Sequence, residues 1–260
     1  YKVTGYEPAR KLAGKLVKCL RYHGEYYSEE GHFLPDNLGM PIGHSAFRPS
    51  GLLGAHFHAH TIGLLSMLEY GLSVNDRELL EFVKKSYEWA KTQGSSLVGF
   101  FPEFLEEDEK YPTSEICEVA DMIALALKLT EAGIGDYLDD VDRWVRNQFA
   151  ENQLTKTDWV YKIPRLTRRQ PPSPNETDDR VAERNLGAFA GWSSANDWAI
   201  VFGIMHCCTG NAARSIYYIW EHILDYHDGR LRVNLLLNKA ALCADSESYI
   251  PYEGRVDLKI

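Results

Sequence analysis

The sequence predicts a mainly α-helical protein built from helices joined in hairpins, followed by the beginning of a β-sheet. Two observations lead to this fold class. Apolar residues recur at three- and four-residue spacing along most of the chain, and stretches rich in Gly and Pro divide these runs. Strand-like patterns occur only near the C-terminus. We therefore expect a helical domain over residues 1–228 and the start of a β-domain over 229–260.

The N-terminal third predicts two helices separated by a loop. Residues 7–27 carry leucines and Cys19 at helical spacing, which predicts a core position for Cys19. Residues 31–51 are rich in Gly and Pro and are expected to be a loop. A second helix is expected over 53–70, because Gly71 follows as a stop signal.

The middle of the chain predicts three more helices. Asn75 is a good N-cap for a helix that carries apolar residues on one face. Thr113 or Ser114 caps the next helix, which is expected to continue to Ala132. A further helix should follow and end near Glu151.

The C-terminal part of the sequence predicts an irregular connection, then helices, then strands. Residues 164–190 are rich in Pro and polar residues and predict a long irregular connection. One or two helices are expected over 194–226. The Asp-Gly turn at 228–229 then introduces strand-like runs over 231–238 and 254–260.

Composition and net charge limit which classes of protein this sequence can belong to. The 260 residues are 45% hydrophobic and 25% charged, which is typical of a globular protein with a substantial core. The net charge of −9 argues against a nucleic-acid partner or an anionic membrane surface. The basic run 165–170 is interpreted as a solvated loop, and no apolar run approaches the roughly 20 residues that span a bilayer.

Five cysteines make an odd count without the spacing of a disulfide framework. This favours free thiols or metal ligands, and free thiols favour a cytoplasmic location. The sequence begins at Tyr1 and shows no signal-peptide pattern. It specifies no oligomeric state.

Cys207 and Cys208 are adjacent and stand just before a helix-patterned run. A disulfide between neighbouring cysteines strains the peptide, whereas the positive end of a helix stabilises a thiolate. One of the two thiols is therefore expected to be acidified. The alternative is that both are small buried apolar residues.

Glu115 and Cys117 form the one E-x-C in the chain, at the entry to the predicted fourth helix. Residues two apart do not share a helix face, so both can bind one ion only if the entering turn is irregular. Together with Cys207 and Cys208 they offer three thiols and a carboxylate, a complete tetrahedral zinc set. A purely structural Cys3Glu zinc site stays open as an alternative.

Two other features can carry chemistry. Glu103 is flanked by aromatic residues, which predicts a desolvated carboxyl with a raised pKa that suits a general acid. The alternative is that Glu103 points to solvent from a loop. His56, His58 and His60 alternate in AHFHAHT, where one histidine is expected to line a pocket and the others to serve core or surface roles.

These pieces resemble one family, the bacterial β-L-arabinofuranosidases of glycoside hydrolase family 127. The resemblance rests on E-I-C followed far downstream by C-C-x-x-N-x-x-R. The matching residues are Glu115, Cys117, Cys207, Cys208, Asn211 and Arg214. The segments HAHTIGLLSMLEYG, GSSLVGFFPEF, DRWVRN and DWVYKIP are similar to further family segments in the same order.

The resemblance implies a six-hairpin (α/α) toroid followed by β-sandwich material. A full toroid needs about twelve helices, roughly 350 residues at ordinary helix lengths. The chain offers about seven helices, so we expect an incomplete toroid.

The resemblance also implies a retaining glycoside hydrolase that acts on β-L-arabinofuranosides or a related carbohydrate. Cys207 would be the nucleophile and a Zn²⁺ ligand, and Glu115, Cys117 and Cys208 would complete the zinc site. Glu103 would be the acid/base. The sugar-binding residues would be His58, Asp142 and Tyr161, with His206 contributing to the pocket.

Two other functions stay open. The chain could be a non-catalytic helical-hairpin protein that holds a structural zinc ion or binds carbohydrate. It could also bind no zinc, with cysteines that are redox-active or part of the core.

Overall fold

A computed structural model describes residues 1–34, 55–105, 113–162, 173–177, 179–194 and 203–260. The predicted basic loop and most of the predicted first loop lie outside these residues. Within the described residues, seven α-helices and nine short β-strands are present. About half of these residues are helical, which confirms the mainly α class.

The helices are α1 (Glu7–Lys18), α2 (Phe57–Val74), α3 (Arg77–Lys91), α4 (Ile116–Glu131), α5 (Leu138–Trp144), α6 (Val181–Arg184) and α7 (His206–His222). The strands are β1 (Ala55–His56), β2 (Phe104–Leu105), β3 (Ser114–Glu115), β4 (Trp192–Ser193), β5 (Leu224–His227), β6 (Arg230–Val233), β7 (Lys239–Ala240), β8 (Asp245–Ser248) and β9 (Val256–Lys259). Irregular helical turns extend α1 and α5. None of the helices in this part of the chain is long and apolar enough to span a membrane.

Helix α4 is the centre of the fold. It packs against α2 on one side and α7 on the other, while α3 lies against α2 and α5 against α4. Most side chains of α4 are buried, because apolar residues occupy most positions of its sequence, ICEVADMIALALKLTE; Glu118 and Asp121 are buried among them. The largest completely buried side chains nearby include Phe57, Tyr87, Phe101 and Trp144.

Two-residue strands precede two of the central helices. β1 leads directly into α2 and pairs antiparallel with β2, while β3 leads into α4 and pairs with β4. Just before α7, Ala190 and Ile204 form an antiparallel bridge close to β4. These short pairings bring the N-terminal ends of α2, α4 and α7 to one region of the protein.

Some helix boundaries differ from the sequence prediction. α2 passes through Gly71 and ends at Val74, and its C-cap is Asn75, whose φ of 56° is left-handed, a conformation that Asn tolerates. Asp76 caps α3 instead, and its side chain accepts a hydrogen bond from the Leu79 amide at 3.1 Å. At the start of α4, Glu115 is the N-cap and forms a capping box with Glu118.

The predicted core position of Cys19 is wrong. Cys19 is exposed, and Leu12 and Leu16 on the same helix are more than half exposed. Only Gly14 and Val17 of α1 are buried. Helical spacing was correct, but the leucine-bearing face is not the face that packs.

The C-terminal residues form two small sheets, as the sequence indicated. β5 and β6 make a hairpin whose turn contains Asp228 and Gly229, both with positive φ. β7, β8 and β9 form a three-stranded antiparallel sheet. The predicted domain boundary falls in the β5–β6 turn, and the division into two domains stays a prediction.

Candidate active site and metal centre

The four predicted metal ligands lie together at the N-terminal ends of α4 and α7. Each offers one ligand atom, and these atoms lie within 4.8 Å of one another. We call this set the cysteine cluster, comprising Glu115, Cys117, Cys207 and Cys208. Glu115 has extended backbone dihedrals, φ −100° and ψ 133°, and helical geometry begins only after it. The irregular entry that the E-x-C spacing requires is therefore present.

The distances within the cysteine cluster fit a tetrahedral ion. The Cys207 and Cys208 sulfurs are 3.6 Å apart, and the Cys208 thiol donates a hydrogen bond to Glu115 Oε1 at 3.2 Å. Zinc–sulfur bonds of about 2.3 Å in a tetrahedron separate two sulfurs by about 3.8 Å. Three thiols and one carboxylate are also a donor set that zinc accepts. The residues therefore fit a zinc ion in both chemistry and spacing.

Protonation in this cluster depends on neighbouring charges. The Cys117 thiol and burial raise the pKa of Cys208 far above its usual value. Cys208 lowers the pKa of Cys117, but burial and the Glu115 charge outweigh that effect and raise it overall. In the protein alone, Cys208 is therefore not the acidified thiol, and the expectation that one thiol of the pair is acidified stays a prediction. A bound cation would supply the charge that these buried sulfurs need to ionise.

The members of the cluster differ in accessibility. Cys117 and Cys208 are completely buried, and Glu115 is 5% exposed. Cys207, in contrast, is exposed. Among the three thiols of the cluster, the Cys207 sulfur is thus the one that a solute can reach.

Glu103 lies beside this cluster. Backbone hydrogen bonds fix its position, since Phe57 N donates to Glu103 O at 2.9 Å and Glu103 N donates to Thr113 O at 2.7 Å. The side chain is 8% exposed and accepts a hydrogen bond from Thr113 Oγ1 at 3.1 Å. Burial, together with the charge of Glu115, raises the pKa of Glu103 to about 7. The structure thus excludes the solvent-exposed alternative for Glu103.

His56 is a site residue that the sequence reasoning did not single out. Its Nε2 lies 3.3 Å from Glu115 Oε2, and burial leaves it 5% exposed. Burial raises the pKa of Glu115, but the hydrogen bond and charge of His56 outweigh that effect and bring the pKa to about 2. The alternating histidines were the available signal. His60, by contrast, is a core residue whose ring nitrogens lie within hydrogen-bond distance of the backbone carbonyl oxygens of His56 and Leu34.

Asp121 is a second residue that sequence reasoning missed. It is completely buried, and its carboxylate contacts His58 Nδ1 at 2.7 Å, Thr61 Oγ1 at 2.9 Å and Arg214 Nη2 at 2.7 Å. Burial lowers the pKa of His58, but the hydrogen bond and charge of Asp121 raise it overall. An aspartate in the middle of an apolar helix was the signal that could have identified it.

The remaining predicted residues have different surroundings. His206 is the first residue of α7, next to Cys207, and is exposed. Asp142 pairs with Arg146 at 2.9 Å and accepts from Leu236 N at 3.2 Å. Tyr161 is 63% exposed, and its hydroxyl donates to Glu183 at 2.7 Å. No hydrogen bond described in the structure joins Asp142 or Tyr161 to the cysteine cluster, and their sugar-binding roles stay predictions.

Sequence comparisons identify no relative. No protein-family model matches the chain, and no curated protein matches it either.

Structural comparison does find a similar protein. The crystal structure of a GH127 β-L-arabinofuranosidase from Geobacillus stearothermophilus T6 superposes with a TM-score of 0.57 at 16% sequence identity. The likeness covers 99% of this chain and 42% of that chain, so the sequence spans less than half the length of the enzyme. The chain therefore shares its fold with part of a GH127 glycoside hydrolase.

Proposed function

We propose that the chain forms the catalytic part of a retaining glycoside hydrolase that acts on β-L-arabinofuranosides or a related glycoside. It would supply a portion of a six-hairpin (α/α) toroid. One observation carries this proposal. The accessible Cys207 thiol belongs to the cysteine cluster. The buried Glu103 carboxyl belongs to a second group of possible ligands, made of His56, Glu103 and Glu115, and Glu115 is a member of both groups. A candidate nucleophile and a candidate proton donor thus both lie close to one ionised carboxylate.

Glu115, Cys117, Cys207 and Cys208 would hold a zinc ion. When bound, zinc supplies positive charge that keeps a ligating thiol ionised near neutral pH. Cys117 and Cys208 are enclosed, so their role is to hold the ion. The exposed Cys207 is left as the thiolate that meets the substrate.

The reaction would proceed in two displacements. The Cys207 sulfur attacks the anomeric carbon and forms a carbon–sulfur bond as the bond to the leaving oxygen breaks. Glu103 gives its proton to that oxygen. In the second step Glu103 takes a proton from water, the water oxygen attacks the anomeric carbon, and the Cys207 thiolate leaves.

The environment of Glu103 suits both steps. A pKa of about 7 makes the group able to donate and to accept a proton near neutral pH. Its enclosure by the β1–β2 pairing and by Thr113 holds the carboxyl in one position. Ordinary retaining glycosidases use a second carboxylate as nucleophile, and here Cys207 takes that place.

Sugar hydroxyls would be bound by His58, with Asp142, Tyr161 and His206 as further candidates. His58 is the best supported of these, because Asp121 holds its Nδ1 and leaves Nε2 to face a ligand. The fold shared with part of a glycoside hydrolase supports carbohydrate as the substrate class.

The experiment compares three variants of the protein that carries this chain, assayed with an aryl β-L-arabinofuranoside. Cys207→Ser is expected to abolish hydrolysis while zinc stays bound. Glu103→Gln is expected to lower kcat/KM by about 10²- to 10⁴-fold, with the larger loss for poor leaving groups. Cys243→Ser is the matched control and should behave like the wild type, because Cys243 is not a member of the cysteine cluster.

Intact-mass measurement sharpens this test. Glu103→Gln incubated with an activated aryl glycoside should accumulate a pentosyl adduct, and digestion should locate the adduct on Cys207. Full activity in both Cys207→Ser and Glu103→Gln would refute the proposal. Stoichiometric zinc with no hydrolysis of any glycoside in the wild type would instead favour a structural zinc site.

A further inference from the structure

A second group of possible ligand atoms lies directly beside the cysteine cluster. His56, Glu103 and Glu115 each offer one atom within 4.8 Å of the others, and all three side chains are buried. We propose that this histidine–glutamate group binds a second divalent cation of the zinc class, with Glu115 bridging it to the first. The binding itself does not depend on the proposed function, but its inhibitory effect, described below, does.

The two oxygens of Glu115 face different partners. Oε1 accepts the hydrogen bond from Cys208 at 3.2 Å, and Oε2 lies 3.3 Å from His56 Nε2. Zinc bonds to nitrogen and oxygen of about 2.0–2.1 Å in a tetrahedron separate the two donors by about 3.4 Å. The His56–Glu115 distance therefore already matches one edge of such a site.

The backbone holds the donors in this arrangement. The β1–β2 pairing sets His56 opposite Phe104, the residue that follows Glu103. The Phe57 amide also donates to the Glu103 carbonyl at 2.9 Å. Glu115 is the N-cap of α4 and is fixed by its capping box. Binding a cation therefore needs changes of side-chain rotamer and not of the fold.

The charges nearby also favour a second cation. With a divalent ion bound, three thiolates and a carboxylate of the cysteine cluster would leave an excess of two negative charges. Burying several negative charges close together raises the free energy of the folded state unless a cation or a proton neutralises them. A second dication at the histidine–glutamate group would supply that offset.

The donor set indicates which cations fit. One imidazole nitrogen with two carboxylates suits zinc and cobalt, whereas magnesium and calcium prefer all-oxygen sites. A simpler role for His56 is also chemically reasonable, since ligating carboxylates are commonly held by a hydrogen bond. In that case His56 only orients Glu115, and no second ion binds.

The second cation would inhibit the enzyme. Glu103 would lose its proton to become a ligand, and the bound ion would occupy the lone pair that the proton transfer needs. The first ion would support hydrolysis, and an excess of the same metal would suppress it.

Cobalt titration of the metal-free protein under reducing conditions separates the two sites. Cobalt bound by thiolates gives an intense charge-transfer absorption, whereas cobalt bound only by nitrogen and oxygen gives weak bands. We expect the intense band to saturate with one ion and a second ion to bind with weak bands alone. Total zinc after equilibration should be two ions per chain.

Variants assign each ion to its group. His56→Ala should bind one ion with the thiolate band intact, and Cys117→Ser should lose the thiolate ion but keep the other. His227→Ala is the control, because His227 is a surface histidine whose side chain is 83% exposed. If His56→Ala misfolds, Glu103→Gln removes a different donor of the same group and should also bind one ion.

The outcomes distinguish this inference from the proposed function. Binding of a single ion by the wild type, or of two ions by both His56→Ala and Glu103→Gln, overturns the second site even if hydrolysis is observed. Two ions in a protein without any hydrolase activity would leave the site standing while the proposed function fails. In an active protein, excess zinc should inhibit the wild type saturably.

Discussion

Asn211 Nδ2 donates a hydrogen bond to the sulfur of Cys117 at 3.2 Å, across 94 positions of the chain. Asn211 lies one turn into α7, and Cys117 lies in the first turn of α4. This bond links the asparagine of the C-C-x-x-N motif to the cysteine of the E-x-C motif. It gives a reason for that asparagine which is independent of any substrate.

Replacing Asn211 should weaken zinc binding without removing a ligand. We expect Asn211→Ala to lower zinc affinity by about 10- to 100-fold, the usual effect of losing a hydrogen bond to a ligand. Competition with a chromophoric chelator measures the affinity. Asn185→Ala serves as the control, because Asn185 is partly exposed and its amide donates a hydrogen bond within its own turn, to Val181 O. Equal affinity in the two variants would contradict the assignment.

The protonation of Glu103 should make stability depend on pH. Its pKa is raised from 4.5 to about 7 in the folded protein, so the folded state holds the proton while the unfolded state loses it. The stabilising contribution is therefore fully present below about pH 4.5 and is lost as the pH rises through 7. We expect the wild type to lose about 3 kcal/mol relative to Glu103→Gln over this range. Urea unfolding of the metal-free proteins from pH 4 to 8 measures the difference. A difference that stays constant, or that grows in favour of the wild type with pH, would rule out the raised pKa.

Removing the Asp121 carboxylate should lower the stability of the fold, because it leaves the Arg214 guanidinium and the His58 ring without their partner. His58 and Arg214 both contact it at 2.7 Å, and Asp121 is completely buried. Asp121→Ala is expected to lower the free energy of unfolding by about 3–5 kcal/mol. Glu253→Ala, which removes an exposed pair with Arg255, should cost about 1 kcal/mol or less. Similar losses in chemical denaturation for the two variants would show that the Asp121 network contributes little.

Gly99 should resist substitution for two separable reasons. Its φ is 78°, and a Cβ there would lie 2.7 Å from Cγ of the completely buried Trp144. Gly99→Ala should lower the free energy of unfolding by at least about 2 kcal/mol, through the left-handed backbone and the clash. Gly187 has a φ of 89° with nothing within 4 Å of its Cβ position, so Gly187→Ala measures the backbone cost alone. Thermal unfolding that ranks the two variants equally would remove the Trp144 contact as a constraint on the segment before Glu103.

Local sequence patterns determined the helical class and the set of possible ligands in the candidate metal site. Apolar residues occupy most positions of 116–131, which indicates a helix that is buried on most of its sides. The pairing of E-x-C with adjacent cysteines likewise depends on residue type, because zinc selects thiols and carboxylates by their chemistry. The aromatic neighbours of Glu103 indicated a desolvated carboxyl but left a solvent-facing position open, and only the fold shows that the side chain is buried.

Only the tertiary structure decided which residues meet. Asn75 and Asp76 are both residue types that cap helices. In the structure Asn75 is the C-cap of α2, and Asp76 is the N-cap of α3. The exposed position of Cys19 was decided by the rotation of α1 on α2, since a helix with apolar residues on several sides does not specify which side packs. His56 and Asp121 acquired their roles from partners 59 and 93 positions away.

The sequence could not predict these contacts because they depend on two-residue strands, which hold the N-terminal ends of the helices close together. β1 and β3 are too short to carry an alternating pattern, so nothing in the sequence marks them as strands. Their hydrogen bonds nevertheless bring the starts of α2, α4 and α7 together, and with them the three thiols, Glu103 and His56. The sequence thus determined which chemical groups the protein carries. The long-range backbone pairing decided that those groups share one site.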